Sequence, residues 1–255
     1  MAELLTDKVV IVTGAGGGIG HDACCVLAKA GARLVMTDVS ARGGEATLAA
    51  VQQAGGEAIF HAADLASEAE VAGLVDAAVS RYGRLDGAFN NAGVEQKNKP
   101  LDELDLEEWE RAIRIDLTAV FLCIKYQVKA MLQTGGGAIV NTASSLGQVA
   151  IPGASEYVAA KHGVVGLTRA AGADYGQRGI RVNAVLPGII NTPMIARLSA
   201  EPAFAPTFNK ARERHSMGRF GEPSEVGEAV AWLLSDAASF MNGAAVAVDG
   251  GYLSI

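Results

Sequence analysis

Tyr157 and Lys161 lie four residues apart in a stretch with helical patterning, and Ser144 follows the strand-like run before it. A spacing of four places the phenol and the ammonium on one face of a helix. A neighbouring cation stabilises phenolate and draws a tyrosine's pKa from its reference value of about 10 toward working pH. Such a tyrosine can take the proton of an alcohol, or return one to a ketone, while hydride leaves or reaches the carbon. A serine hydroxyl can hydrogen-bond the same oxygen as charge develops on it. By itself Tyr-x-x-x-Lys is a commonplace pair on a helix surface. Its chemistry depends on a hydride carrier nearby.

A site for such a carrier is written near the N-terminus. Thr13-Gly14-Ala15-Gly16-Gly17-Gly18-Ile19-Gly20 follows an apolar run and precedes helical spacing. Its pattern is G-x-x-x-G-x-G over Gly14, Gly18 and Gly20; the G-x-G-x-x-G spacing fails, because Ile19 stands where its last glycine should be. Missing side chains let the backbone approach a pyrophosphate, and the helix that follows offers free N–H groups and partial positive charge. Glycines in a turn can also serve the turn alone. Asp38 ends the next strand-like run about 20 residues beyond the glycines, where a carboxylate accepts both ribose hydroxyls of NAD. A 2′-phosphate there would meet like charge, which disfavours NADP.

Positioning these groups requires alternating strands and helices. Apolar, β-branched runs predict strands at 8–13, 33–37, 58–61, 85–89, 138–142, 181–186 and 245–248. Helical spacing covers 19–30, 43–54, 68–82, 106–133, 157–175 and 224–234. Seven strands alternating with helices, without an obvious linker, imply an α/β fold. The expectation is a single doubly wound domain over residues 1–255, a seven-stranded parallel sheet with helices on both faces. Residues 192–221 break the alternation, with Pro193, Pro202 and Pro206 among apolar residues, and read as a substrate lid.

Composition narrows the class. Half the residues are hydrophobic and 19% are charged, which excludes a disordered chain. A net charge of −7 with no basic block argues against nucleic acid or an anionic membrane as partner. No run approaches the roughly 20 apolar residues of a membrane helix, and no signal peptide is evident. Cys24, Cys25 and Cys123 form no C-x-x-C pair and read as reduced thiols of a cytoplasmic protein. The four histidines are scattered, so no metal site is expected.

Taken in order, residues 13–20, Asp64, 90–93, Ser144, Tyr157 with Lys161, 187–192 and 249–251 resemble the short-chain dehydrogenase/reductase family over nearly the whole chain. The resemblance implies a Rossmann domain, usually assembled as a homotetramer through the helices at 106–133 and 157–175. It implies that Asp64 and Leu65 lie by the adenine of NAD and that Asn91, with Ala92 and Gly93, lies by the adenosine side. Ile190 and Thr192, in the segment begun by Pro187 and Gly188, would meet the nicotinamide amide. Tyr157 would be the acid/base and also meet the cofactor, Ser144 would be the donor to the substrate oxygen, and Lys161 would tune Tyr157 and bind the nicotinamide ribose. One position departs from the family: Asp116 replaces an asparagine that holds a water linking the lysine to solvent. Asp keeps the main-chain carbonyl, favours a charged Lys161, and is expected to support proton transfer without being indispensable.

Residues 121–127 and 161–169 look like those of cyclic-alcohol dehydrogenases, dichlorocyclohexadienediol dehydrogenases among them. Val149, Ile151, Met194, Ile195, Leu198, Phe204, Phe208 and Met217 suggest an apolar pocket, to which Glu95 and Gln96 could add a polar contact. The expected substrate is an apolar, cyclic secondary alcohol or ketone. Two alternatives stay open: a 3-oxoacyl-carrier-protein reductase, and a non-catalytic NAD sensor or structural subunit.

Overall fold

The computed structural model describes the backbone of residues 3–200 and 205–254, and their side chains apart from those at 194, 197, 198, 200 and 205–208. Strand β1 (Val9–Thr13) is β-branched at every position and wholly buried, as a strand covered on both faces must be. There follow α1 (Gly18–Lys29), β2 (Arg33–Thr37), α2 (Ala41–Gln53), β3 (Ala58–Phe60), α3 (Glu68–Tyr82) and β4 (Gly87–Asn90). The middle of the chain supplies α4 (Leu106–Ile113), α5 (Ala119–Met131), β5 (Gly137–Thr142), α6 (Ser155–Tyr175) and β6 (Ile180–Pro187). It closes with α7 (Pro193–Ala200), α8 (Ala205–Glu213), α9 (Pro223–Leu234) and β7 (Ala245–Val248).

All seven strands pair in parallel, in the order β3-β2-β1-β4-β5-β6-β7. Strand alternation divides the core in two. Val10 and Val12 pack with Cys24, Leu27, Val226 and Val230 beneath α1 and α9. Ile11 and Val35 pack with Leu74, Val75, Val128 and Val164 on the face covered by α3, α5 and α6. Each such side chain contributes about 1.5–3 kcal/mol by leaving water. The chain winds outward in opposite senses from β1 and β4, so a crevice opens where their carboxyl ends diverge. Among the described residues no helix is long and apolar enough to cross a membrane.

Three elements differ from expectation. The helix expected over 106–133 ends at Met131 and is interrupted by a π turn at Arg114–Thr118, where the Ala119 N–H reaches back to the Arg114 carbonyl. Helix α6 begins at Ser155, two residues earlier than patterning suggested. The segment 192–221 contains two helices. Pro193 opens α7 and Pro206 lies in the first turn of α8, positions where a missing N–H breaks no helical bond.

The two feet of that segment are tied together. Ile190 bridges Gly221, the Asn191 N–H donates to the Gly221 carbonyl at 2.7 Å, and the Gly221 N–H donates to Ile189 at 3.0 Å. Buried His215 adds a third tie, its Nε2 accepting from the Ile189 N–H at 3.1 Å. The proton therefore sits on Nδ1, which donates to the Ala211 carbonyl at 2.7 Å.

Candidate active site

The glycine loop turns from β1 into α1 at the crevice. Gly18 has φ +53°, a left-handed conformation that glycine adopts without strain. At Gly20 a Cβ would overlap the Gly14 carbonyl, so the first turn of α1 can pack against the loop only without a side chain. Gly17, the N-cap of α1, provides no side-chain cap, and a Cβ on it would meet nothing within 4 Å. The free N–H groups of the helix thus face open space, the arrangement that suits a pyrophosphate.

A cleft of about 440 Å³ lies there, lined by Gly14, Gly16, Gly17, Gly18, Ile19, Asp38, Asn91, Ala92, Gly93, Thr192 and Pro193. Asp38 Oδ2 accepts from the Gly16 N–H at 2.9 Å and Oδ1 from the Ser40 N–H at 2.8 Å. A carboxylate has about four acceptor sites, so each oxygen keeps capacity for a ribose hydroxyl.

A belt of hydrogen bonds joins this cleft to the polar cluster beyond it. Thr13 Oγ1 accepts from the Asn91 and Ala92 N–H groups at 2.9 and 3.1 Å, and Thr142 Oγ1 donates to Asn91 Oδ1 at 3.4 Å. Lys161 Nζ donates to the Thr142 carbonyl at 3.2 Å, two residues before Ser144. The same ammonium lies 3.2 Å from Asp116 Oδ1 and 5.3 Å from the ring centre of Tyr157. Ser144 Oγ accepts from the Leu146 N–H at 3.1 Å, which leaves its proton to donate outward.

Lys161 and Asp116 are both buried, at 2% and 0% exposure. Burial pulls the Lys161 ammonium down, but the facing Tyr157 and Asp116 outweigh it and hold the lysine above its ordinary value. Burial lifts the Asp116 carboxyl above the usual carboxylate range, against the opposing pull of Lys161 and the Val94 N–H. Asp116 occupies the π turn between α4 and α5. Such turns recur at functional sites, because the extra residue re-aims a side chain. Behind the cluster a buried network, Asn90 with Gln127 and Asn141, and Asn141 with Thr168, ties β4 and β5 to α5 and α6.

The chain matches the family model described as Enoyl-(Acyl carrier protein) reductase over residues 14–253. It is 47% identical to 2,5-dichloro-2,5-cyclohexadiene-1,4-diol dehydrogenase of Sphingobium indicum, over 98% of this chain and 99% of that one. The chain belongs to the short-chain dehydrogenase/reductase family. Among other members of the family, it is 43% identical to cyclohexanol dehydrogenase of Acinetobacter sp., over 100% of this chain and 98% of the relative. The crystal structure of levodione reductase superposes with TM-score 0.93 at 41% identity, covering 98% of this chain and 99% of that one. This short-chain dehydrogenase/reductase is accordingly an oxidoreductase with a nicotinamide-cofactor fold.

Of the expected cofactor residues, Gly14, Gly18, Ile19, Asp38, Asn91, Ala92, Gly93 and Thr192 line the one cleft, with Gly20 packed behind it. Pro187, whose carbonyl accepts from Ser145 Oγ, and buried Ile190 form the base of the segment that ends at Thr192, with Gly188 between them. Asp64 and Leu65 stand apart from the cleft lining: the Asp64 carboxylate accepts from the Ala66 N–H, and the Leu65 side chain is buried.

Among the suggested pocket residues, Val149, Ile151 and Ile195 are half-buried, but Met217 is 62% exposed. The side chains of Met194, Leu198, Phe204 and Phe208 lie outside the described residues. Sequence reasoning passed over Gly16, where a Cβ would crowd the Asp38 carboxylate at 2.8 Å; the signal available was its place in the glycine run. It also passed over Glu156, a buried carboxylate immediately before Tyr157.

Proposed function

We propose that the protein transfers hydride between NAD(H) and an apolar, cyclic secondary alcohol or its ketone. The observation that carries this reading is the continuous belt from the glycine-lined cleft through Asn91 and Thr142 to Lys161 and Tyr157. In this reading Gly14, Gly18, Ile19 and Gly20 receive the pyrophosphate, Asp38 the adenosine ribose, and Asp64 and Leu65 the adenine. Asn91, Ala92 and Gly93 form the floor, and residues 187–192 hold the nicotinamide, whose ring accepts or returns hydride when the cofactor is bound. Tyr157 takes the alcohol proton and Ser144 donates to the same oxygen. Lys161 keeps positive charge beside the phenol and binds the nicotinamide ribose, with Asp116 supporting it.

The ring preference is supported by the names of the relatives, a cyclohexadienediol and a cyclohexanol dehydrogenase. A homotetramer is the assembly we infer, since Leu106 of α4 and Phe121 of α5 are exposed on helices the family packs between subunits. A cytoplasmic site is inferred from the cysteine pattern, Cys24, Cys25 and Cys123 being free thiols.

Nicotinamide absorbance, followed with NAD and NADP against cyclic and open-chain secondary alcohols, tests the reading. NAD-dependent turnover of the cyclic alcohols is expected; NADH binding without turnover of any alcohol or ketone would favour a sensor.

Asp38→Ala should lower kcat/KM for NAD about tenfold or more, the loss expected for hydrogen bonds to a charged group, and raise the NADP-to-NAD ratio. An unchanged ratio would remove Asp38 from cofactor choice.

Asp116→Asn should leave substantial turnover. Asparagine still offers an oxygen to the Val94 N–H, but removing the negative charge takes away one influence that holds the Lys161 proton on. The alkaline limb of kcat/KM against pH therefore moves to lower pH. A limb that stays in place, or an inactive folded variant, contradicts a supporting role.

A further inference from the structure

Two buried carboxylates hold the segment that leaves the cofactor cleft after Gly93. It begins at the reacting centre, where a Cβ on Gly93 would stand 2.6 Å from Asp116 Oδ1 and 3.4 Å from Lys161 Nζ. Asp116 Oδ1 accepts from the Val94 N–H at 3.1 Å, and Glu156 Oε1 accepts from the Lys97 N–H at 2.7 Å. Asn98, left-handed at φ 57°, then packs against Gly153, where a Cβ would lie 3.3 Å from its backbone. The segment thus runs from Lys161 back past the helical turn that bears Tyr157. Between the two anchors Glu95 is exposed and Gln96 is half-buried, its Nε2 donating to Asn98 Oδ1 at 3.5 Å.

Both carboxylates are at most 1% exposed, and in each the second oxygen, Asp116 Oδ2 or Glu156 Oε2, meets no donor among the described residues. A half-satisfied buried carboxylate is costly, and such groups call for an explanation. Glu156 lies in the first turn of α6, where the helix dipole favours an acid, but that benefit is equally available at an exposed position.

We propose that Glu156 is a positioning residue: it fixes residues 94–98 as a wall beside Tyr157, and that wall selects the carbon skeleton of the alcohol. The proposal rests on the reading of Tyr157 as the acid/base. Leucine at 156 has nearly the volume of glutamate and accepts nothing, whereas glutamine keeps the acceptor.

The test compares wild type, Glu156→Leu and Glu156→Gln. It measures kcat and KM for cyclohexanol and 2-butanol with NAD, the NADH Kd, the thermal midpoint, and amide exchange over 94–98. Glu156→Leu should lose about tenfold or more in kcat/KM for cyclohexanol, mostly in KM, and narrow its preference over 2-butanol. Exchange over 94–98 should quicken while the NADH Kd stays put. The thermal midpoint should hold or rise, because an apolar side chain of similar volume replaces a buried charge. Glu156→Gln should remain within about twofold of wild type, since the acceptor is kept. A Glu156→Leu variant with unchanged preference and unchanged exchange overturns the proposal, as does a glutamine variant that loses as much as leucine. A wild type that binds NADH but oxidises neither alcohol defeats the functional reading instead, and the exchange comparison then decides the role of Glu156 alone.

Discussion

Tyr157→Phe lowers kcat by about 10³-fold or more while leaving the NADH Kd within about twofold of wild type. The magnitude is that of a positioned general acid/base, about 10²–10⁴-fold, and removing the hydroxyl removes the only proposed route for the proton. The ring is retained, so the contact that Lys161 makes 5.3 Å from its centre survives and the local fold should not move. In the proposed reading most of the cofactor is held by the glycine loop and Asp38, in the cleft on the other side of the hydrogen-bonded belt. Stopped-flow or steady-state rates with a cyclic alcohol, beside fluorescence titration with NADH, separate the two quantities. Residual turnover above about a tenth of wild type would assign the proton to another group.

Lys161→Met is expected to damage stability as well as rate. It strands Asp116, 0% exposed, without its cation, and breaking a buried ion pair from one side costs about 3–5 kcal/mol. The loss should depend on pH with a definite sign. Because burial already raises the Asp116 carboxyl, the stranded group favours its protonated form in the folded state. That contribution is present at acid pH and is lost as pH rises through the folded value, so the deficit of the variant shrinks on acidification. In wild type the raised Lys161 behaves consistently: its stabilisation holds below the unfolded value and disappears only as pH climbs through the folded one. Adding Asp116→Asn to Lys161→Met should recover most of the stability and none of the turnover. Chemical denaturation at two pH values checks both statements; a double variant no more stable than Lys161→Met would mean the pair is not the source of the loss.

What was legible in the sequence followed the range over which each feature is encoded. The glycine loop, Asp38 and the Tyr157/Lys161 spacing are local patterns, and the structure places the loop between β1 and α1, Asp38 after β2, and Tyr157 with Lys161 on α6. Sheet strands were equally readable, since β1 consists of β-branched residues alone. The link between Lys161 and Asp116 is different in kind: the family resemblance implies it, and no local pattern does. It arises because α4 and its π turn pack against α6, and no residue type announces a π turn in advance. Helices α7 and α8 were obscured by prolines that begin helices as readily as they end them. Glu156 lies just before the helix expected over 157–175, and nothing local marks it, because its partner, the Lys97 amide, is 59 residues away in sequence. Met217 shows the limit of reading a pocket from apolar residues: its side chain points largely into solvent.

The stitched feet of the segment between Ile189 and Gly221 make its middle, after Pro193 and before His215, an interchangeable part. With both ends bound to each other and braced by His215, the excursion through α7 and α8 adds nothing to sheet pairing. Its closure cost grows only slowly with length, by about 0.6 kcal/mol per doubling. Insertions, deletions and wholesale grafts there should leave the dinucleotide half of the crevice untouched. In the reading of this segment as a substrate lid, substrate range can then drift through one surface cassette while hydride chemistry stays where it is.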